Sequence, residues 1–512
     1  IDAPPRLLID PNSWSDDGAT ALGEYAPSDD GRYVAYTVQD GGSDWRTVKV
    51  LDVDTGETLA DTIEWVKFSG ISWAKDGSGF FYSRYPEPET GAAFQSLNVD
   101  HKVYLHLLGE PQTGDKIIYE RPDQPDHGFA AEVSDSGRWL VVTVWKGTDE
   151  RYEVVLIDLE SPGAPPRALV TGFDHDYTYI GDDGSALFFR TDKDAPKGRI
   201  VAVNADAEGA PEWREITAER DGVLASVSFI GGKLIANYLE DVKSVVRVYD
   251  KTGAPAGEMA LPGLGSVSGF DGAPDDDETF YSFTSFNAPE TIYRYEVASG
   301  ASTVFKRAQT PFDPSAYEVK QSFYASKDGT RVPMFIAHRK GLDLSGGAPT
   351  LLYGYGGVNV SLTPGFSITR LAWMEMGGVY AVANIRGGGE YGKAWHDAGR
   401  LANKQNVFDD FIAAGEHLIT GGYTTKERLG VLGGSNGGLL VGAVVNQRPD
   451  LFAAAIPAVG VMDMLRYNQF TAGRFWVDDY GDPAEEAAFR TLYAYSPYHN
   501  IRSGAAYPAI LV

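Results

Sequence analysis

Apolar positions in the first 300 or so residues fall in short runs of aromatic and β-branched side chains, each opened by a turn containing Asp, Ser or Gly. Asp30-Gly31-Arg32 leads into Tyr33 to Tyr36, and Asp76-Gly77-Ser78-Gly79 leads into Phe80 to Tyr82. Ser136-Gly137-Arg138, Asp183-Gly184-Ser185 and Gly231-Gly232 repeat the device, and a less regular sixth copy surrounds Asp277 and Phe280. A second run usually follows, such as Val48 to Val53 before Asp54-Thr55-Gly56, or Val245 to Tyr249 before Asp250. Turn-to-turn spacing is about 45 to 60 residues, too long for single hairpins and suited to four-stranded propeller blades. The alternative is a β-sandwich with irregular spacing. Six signals are compatible with a seven-bladed propeller.

The pattern changes after Gln309-Thr310-Pro311-Phe312-Asp313-Pro314, where two prolines in four residues suit a linker. Short buried strands at 349–353, 379–384 and 429–432 now alternate with helical stretches. The clearest of these, 406–419, carries Phe408, Phe411, Ile412 and Leu418 on one face, with Asn406 as its expected cap and Asp409 in its first turn. Strands alternating with helices predict a mostly parallel sheet with helices on both faces. We therefore expect a propeller domain over 1–310 and a catalytic-type α/β domain over 311–512.

Charge and composition narrow the function. At 512 residues the chain is too long for one core. A net charge of −27 opposes binding to nucleic-acid phosphates and serves mainly solubility. With no cysteine there is no disulfide, thiol nucleophile or thiolate metal site, and the histidines lack metal-ligand spacing. No cofactor is expected. No apolar run reaches the roughly 18 residues of a membrane span, so a soluble protein, cytoplasmic or periplasmic, is expected. The chain opens at Ile1 without Met and closes on an apolar run, 509–512, that reads as a strand with nothing after it. Neither end has the character of a natural terminus.

The chemistry concentrates at Gly433-Gly434-Ser435-Asn436-Gly437. This is the G-x-S-x-G pattern of a nucleophile elbow, with an apolar strand before it and a helix after it, read from Leu439 to Gln447. In this fold class the acid and the His base follow the serine in the chain. His499 is the one histidine after Ser435, with Asp463, Asp478, Asp479 and Asp482 between. We read His499 as a partly buried structural residue and expect the triad Asp and His beyond Val512. Arg386-Gly387-Gly388-Gly389-Glu390 lacks the Gly-Lys-Ser/Thr ending of a phosphate loop and reads as a tight structural loop.

These segments together resemble the prolyl oligopeptidase family of serine peptidases. The resemblance spans essentially the whole chain and is strongest from Tyr317 onwards. It is carried by Leu352-Tyr353-Gly354-Tyr355-Gly356-Gly357, Ala383-Asn384-Ile385-Arg386-Gly387-Gly388-Gly389-Glu390-Tyr391-Gly392 and the Ser435 elbow. Asn446-Gln447-Arg448-Pro449-Asp450-Leu451-Phe452, Val461-Met462-Asp463-Met464, Asp479-Tyr480-Gly481 and Tyr495-Ser496-Pro497 extend it.

The resemblance implies an α/β-hydrolase domain and hydrolysis of short peptides after proline, through an acyl-enzyme on Ser435. It gives the Asn436 backbone N–H and the Tyr355 hydroxyl as oxyanion donors, a side-chain donor of this kind being worth about 3 kcal/mol. Trp476 and Tyr480 fall at the proline pocket, Val461 at a further wall, and Val358 where many relatives carry Phe, so that the wall is roomier. Asn436 also separates close relatives: oligopeptidase B tends to have Ala there, acylaminoacyl peptidases His. The expected partners are short proline-containing peptides, with no nucleic acid and no membrane, bound by a monomer. The resemblance further implies an N-terminal hydrolase segment and a C-terminal triad segment outside these residues, and a propeller that admits only short peptides. The rival readings are a dipeptidyl or acylaminoacyl peptidase-like enzyme, and a propeller binding protein with a silent hydrolase domain.

Overall fold

A computed structural model describes residues 4–148, 150–310 and 312–512, so Ile1 and the linker residue Pro311 lie outside the described residues. The chain divides into two units, one of residues 1–187 with 205–211, the other of 188–204 with 212–512.

In the first unit, Thr20–Pro27, Tyr33–Asp40, Arg46–Asp52 and Thr58–Trp73 run antiparallel in chain order. The sixteen-residue last strand continues into Gly79–Arg84, Lys102–Leu107 and Lys116–Glu120. Its first part, 58–66, pairs with Arg46–Asp52 and its last, 71–73, with Gly79–Arg84, while Val66 pairs with both Arg46 and Arg84. Around Val66 the backbone turns at Trp65 and Phe68, both at positive φ. The seven hydrogen-bonded strands are thus two four-stranded meanders sharing one strand. Gly128–Val133, Trp139–Trp145, Tyr152–Asp158 and Arg167–Val170 form another meander.

The second unit contains two more meanders, 223–258 and 266–307, then a mixed sheet. The repeated antiparallel four-strand pattern is that of propeller blades. Each of the six turns leads into an observed strand, the sixth into Glu278–Ser285. The turns close as their composition demands. At the first, Gly31 takes φ +69° and the Asp30 carboxylate accepts the Arg32 N–H (3.0 Å).

The mixed sheet has the order Tyr317–Ala325, Arg331–Arg339, Val379–Ala383, Thr350–Tyr353, Leu429–Gly434, Ala454–Ala458, Ala509–Ile510. Its first three strands run antiparallel in succession, and the remaining pairings are parallel. Val379–Ala383 is buried along its whole length, as a strand covered on both faces must be. Helix Asn436–Gln447 is likewise buried nearly all round, with Leu439, Leu440, Val441 and Val444 in the core.

Helix Gln405–Thr420 presents Phe408, Phe411 and Leu418 to the same core, with Ile412 packed at its edge. Its start differs from expectation. Lys404 occupies the cap position, because a 3₁₀ turn at Leu401–Asn403 feeds the helix one residue early. Asn406 therefore lies inside the first turn and its amide donates to the Ala398 carbonyl (2.9 Å), while Asp409 falls beyond that turn. Arg386 is buried between Asp410 and Asp328, each 2.6 Å away.

Candidate active site

Three adjacent parallel strands end together, pairing Tyr353 with Leu432 and Gly434 with Ala458. The chain leaves each at the carboxyl edge, the usual position for ligands in such sheets. Ser435 stands between strand Leu429–Gly434 and helix Asn436–Gln447, at φ 56° and ψ −117°. That conformation is rare for a residue with a side chain and marks a constrained functional position. It is held by the Ser435 N–H donating to Ala458 O (2.9 Å) and by Ser435 O accepting from Gly438 and Leu439 (2.9 and 3.1 Å). Ser435 is exposed at the surface of the elbow.

Strand and helix can approach this closely because the elbow lacks side chains. A Cβ on Gly433 would lie 2.3 Å from Gly437 O, and one on Gly438 would lie 2.6 Å from Ala458 O. Asn436 is the first helical residue, so its N–H has no acceptor within the helix and lies at the positive end of the helix dipole.

Tyr355 follows the neighbouring strand, and the Ser435 side chain is one of the groups that act on its phenol. Burial raises its pKa, the Ser435 side chain opposes this, and the negative charge of Asp479 adds to the rise. The hydroxyl is therefore protonated and available as a donor at neutral pH.

The predicted pocket residues form an aromatic group beside this edge. Trp476 ends a 3₁₀ turn, Thr471–Trp476, and is half-buried. It stacks on Tyr467 at 6.3 Å and 10°, and meets Tyr480 edge-on at 6.4 Å and 79°. Tyr480 is buried and its hydroxyl donates to Asn436 Oδ1 (2.8 Å). Val461 packs against the catalytic core. Val358 and Asn359 both adopt left-handed backbone, φ 53° and 56°.

His499 Nδ1 lies 2.8 Å from Ser496 Oγ in a hydrogen bond, with Asp463 4.0 Å from the same ring nitrogen. Asp463 in turn holds Arg466 and the Leu465 N–H. These are local contacts.

Four residues that the sequence reading had not assigned to the site converge beneath it. Asp479 accepts from His396 Nε2 (2.9 Å) and the Val358 N–H (3.1 Å). Lys404 Nζ donates to Gly356 O and Asn436 Oδ1 (3.0 and 3.2 Å). Tyr467 completes the group by donating to Gly481 O (2.7 Å). Burial works against the charge of Asp479, but Lys404 and the His396 contact outweigh it and hold the carboxyl below its ordinary range. For Lys404 burial dominates and lowers the pKa. Only the Asp479-Tyr480-Gly481 segment had hinted at any of these.

Comparison with known proteins agrees in both halves. The model of the prolyl oligopeptidase N-terminal β-propeller domain matches residues 2–308, and that of the prolyl oligopeptidase family matches 364–512. A prolyl endopeptidase of Elizabethkingia meningoseptica is 44% identical over 508 residues, covering 99% of this chain and 72% of the relative. One from Dictyostelium discoideum is 36% identical, covering 99% and 73%. A solved structure from a study of two prolyl endopeptidases superposes with TM-score 0.93 at 42% identity, covering 99% of this chain and 74% of that one. Prolyl oligopeptidase B from Galerina marginata, bound to a 35-residue substrate, superposes with TM-score 0.92 at 32% identity, covering 98% and 72%.

Proposed function

The chain belongs to the prolyl oligopeptidase family of serine peptidases, and from that premise we propose that it cleaves short peptides on the carboxyl side of proline through an acyl-enzyme on Ser435. The observation that carries the assignment is the strained Ser435 at the start of helix Asn436–Gln447.

In this reading Ser435 Oγ attacks the carbonyl carbon of the proline residue while a general base takes its proton. Charge gathers on the carbonyl oxygen, which accepts from the Asn436 N–H and the Tyr355 hydroxyl. Collapse expels the amine, which leaves with that proton, and water then releases the acid by the same route. The proline ring lies on the Trp476 indole, a flat apolar face that needs no polar partner. Tyr480, Val461 and Val358 close the pocket.

We place the base and its orienting acid beyond Val512, since His499 is engaged with Ser496 and this chain spans 72% of the length of the Elizabethkingia meningoseptica relative. We take 1–310 as the propeller domain and 311–512 as the catalytic domain, acting as a monomer. Among the described residues no helix is long and apolar enough to cross a membrane.

The test compares kcat/KM of the full-length enzyme on blocked Gly-Pro, Lys and Ala reporter substrates. Strong preference for Gly-Pro is expected. Preference for Lys or Ala would refute the specificity.

A further inference from the structure

Four consecutive residues, 355–358, carry both the oxyanion hydroxyl and one pocket wall, and this loop is under strain. Val358 is β-branched, and a left-handed φ is a genuine outlier for such a side chain. Strained backbone persists only where the surroundings over-determine it. Here three separate bonds do so. The Asn436 amide donates to Tyr355 O at 2.7 Å, Lys404 Nζ donates to Gly356 O at 3.0 Å, and the Val358 N–H donates to Asp479 Oδ1 at 3.1 Å.

The three anchors are themselves one cluster. Lys404 joins Asn436 Oδ1 and, at 3.5 Å, Asp479 Oδ2, while His396 holds Asp479 Oδ1, the oxygen that accepts from Val358. The side chains of Lys404 and Asp479 are each 1% exposed. A buried ion pair is weak evidence for stability, because desolvation offsets most of the attraction and an apolar replacement often serves as well. Its best-attested benefit is to enforce one arrangement, and here that arrangement is the loop bearing Tyr355.

We infer that the buried Lys404–Asp479 pair, with His396 and the Asn436 side chain, is a positioning device that sets the Tyr355 hydroxyl against Ser435. None of these side chains touches the reacting atoms. They act through the loop backbone. The inference rests on the reading of Tyr355 as an oxyanion donor, and it adds a second role to Asn436, whose backbone serves the oxyanion and whose side chain serves the loop.

The test uses the full-length enzyme with Lys404→Met and Asn436→Ala, each alone and each combined with Tyr355→Phe. Asn436→Ala keeps the two buried charges paired, so it decides the question if Lys404→Met does not fold. Misplacing a catalytic group by about 1 Å costs on the order of a hundredfold. Each single substitution should therefore lower kcat about tenfold to a hundredfold, with KM on a Gly-Pro reporter within about twofold. In the Tyr355→Phe background the same substitutions should add almost nothing, the signature of coupled action. Full multiplicative losses in that background would overturn the positioning role alone. A Tyr355→Phe enzyme with unchanged kcat would remove the oxyanion reading, and the positioning role with it.

Discussion

Adding one methyl group at Gly438 perturbs the elbow without touching any polar side chain of the site. The Cβ of Gly438→Ala would lie 2.6 Å from Ala458 O, 2.6 Å from the Gly460 Cα and 2.9 Å from the Gly460 N. All three are backbone atoms, so no side chain can rotate away. Ordinary contact begins near 3.4 Å, and the helix start must withdraw by about 0.8 Å to reach it. The Ser435 N–H is bonded to the same Ala458 carbonyl, and Asn436 is the next residue, so both the proposed nucleophile and the proposed oxyanion donor move with the helix. A displacement near 1 Å costs about a hundredfold in rate, or about 2.7 kcal/mol of transition-state stabilisation. Overpacking of this kind also costs about 1–3 kcal/mol of stability. The assay is kcat/KM on a blocked Gly-Pro reporter, with thermal melting of the same preparation as control. Full activity with an unchanged melting temperature would refute the close-approach argument.

Other predictions follow from the same geometry. Trp476→Ala should lower kcat/KM on a Gly-Pro reporter at least about tenfold more than on an Ala reporter, since the indole is proposed to meet the proline ring. Equal losses would remove Trp476 from the pocket. Arg386→Met strands Asp410, which is 0% exposed, and should destabilise the catalytic domain by about 3–5 kcal/mol in denaturant titration; a change below about 1 kcal/mol would contradict this. In the propeller, burial opposes protonation of His106, but bonds to Asp115 (2.7 Å) and Asp61 (2.9 Å) outweigh it and raise its pKa. A group raised in the folded state stabilises fully below its unfolded value, about 6.5, and loses that contribution as pH rises through the folded value. Melting temperature should therefore fall with alkalinity above about pH 6.5, and His106→Asn should flatten that slope. A slope unchanged by the substitution would refute it.

Much of the architecture was legible because local chemistry and global fold agree. A turn such as Asp30-Gly31-Arg32 needs a side-chain acceptor and a left-handed glycine, and the strand after it needs aromatic or β-branched residues, so both leave marks in the chain. The elbow was legible for the same reason: Gly433 and Gly438 are dictated by contacts under 3 Å. The strand shared over residues 58–73 was not, because its halves are joined by two positive-φ residues, Trp65 and Phe68, whose identities give no warning of that conformation. The cap of helix Gln405–Thr420 was misread because the preceding 3₁₀ turn fixes the entry, while Asn406 finds a partner outside the helix. The cluster beneath the site was invisible for a different reason. His396 with Lys404, Asn436 and Asp479 come from three separate stretches of the chain, and only the fold brings them together.

The central claim is that Ser435 is the nucleophile of this peptidase. Its most direct test is intact-mass analysis of the full-length enzyme after treatment with an active-site-directed phosphonate carrying proline, alongside Ser435→Ala. The account predicts one phosphonyl group on the wild-type protein, mapped by peptide analysis to Ser435, and none on Ser435→Ala. Equal labelling of the two proteins would contradict it.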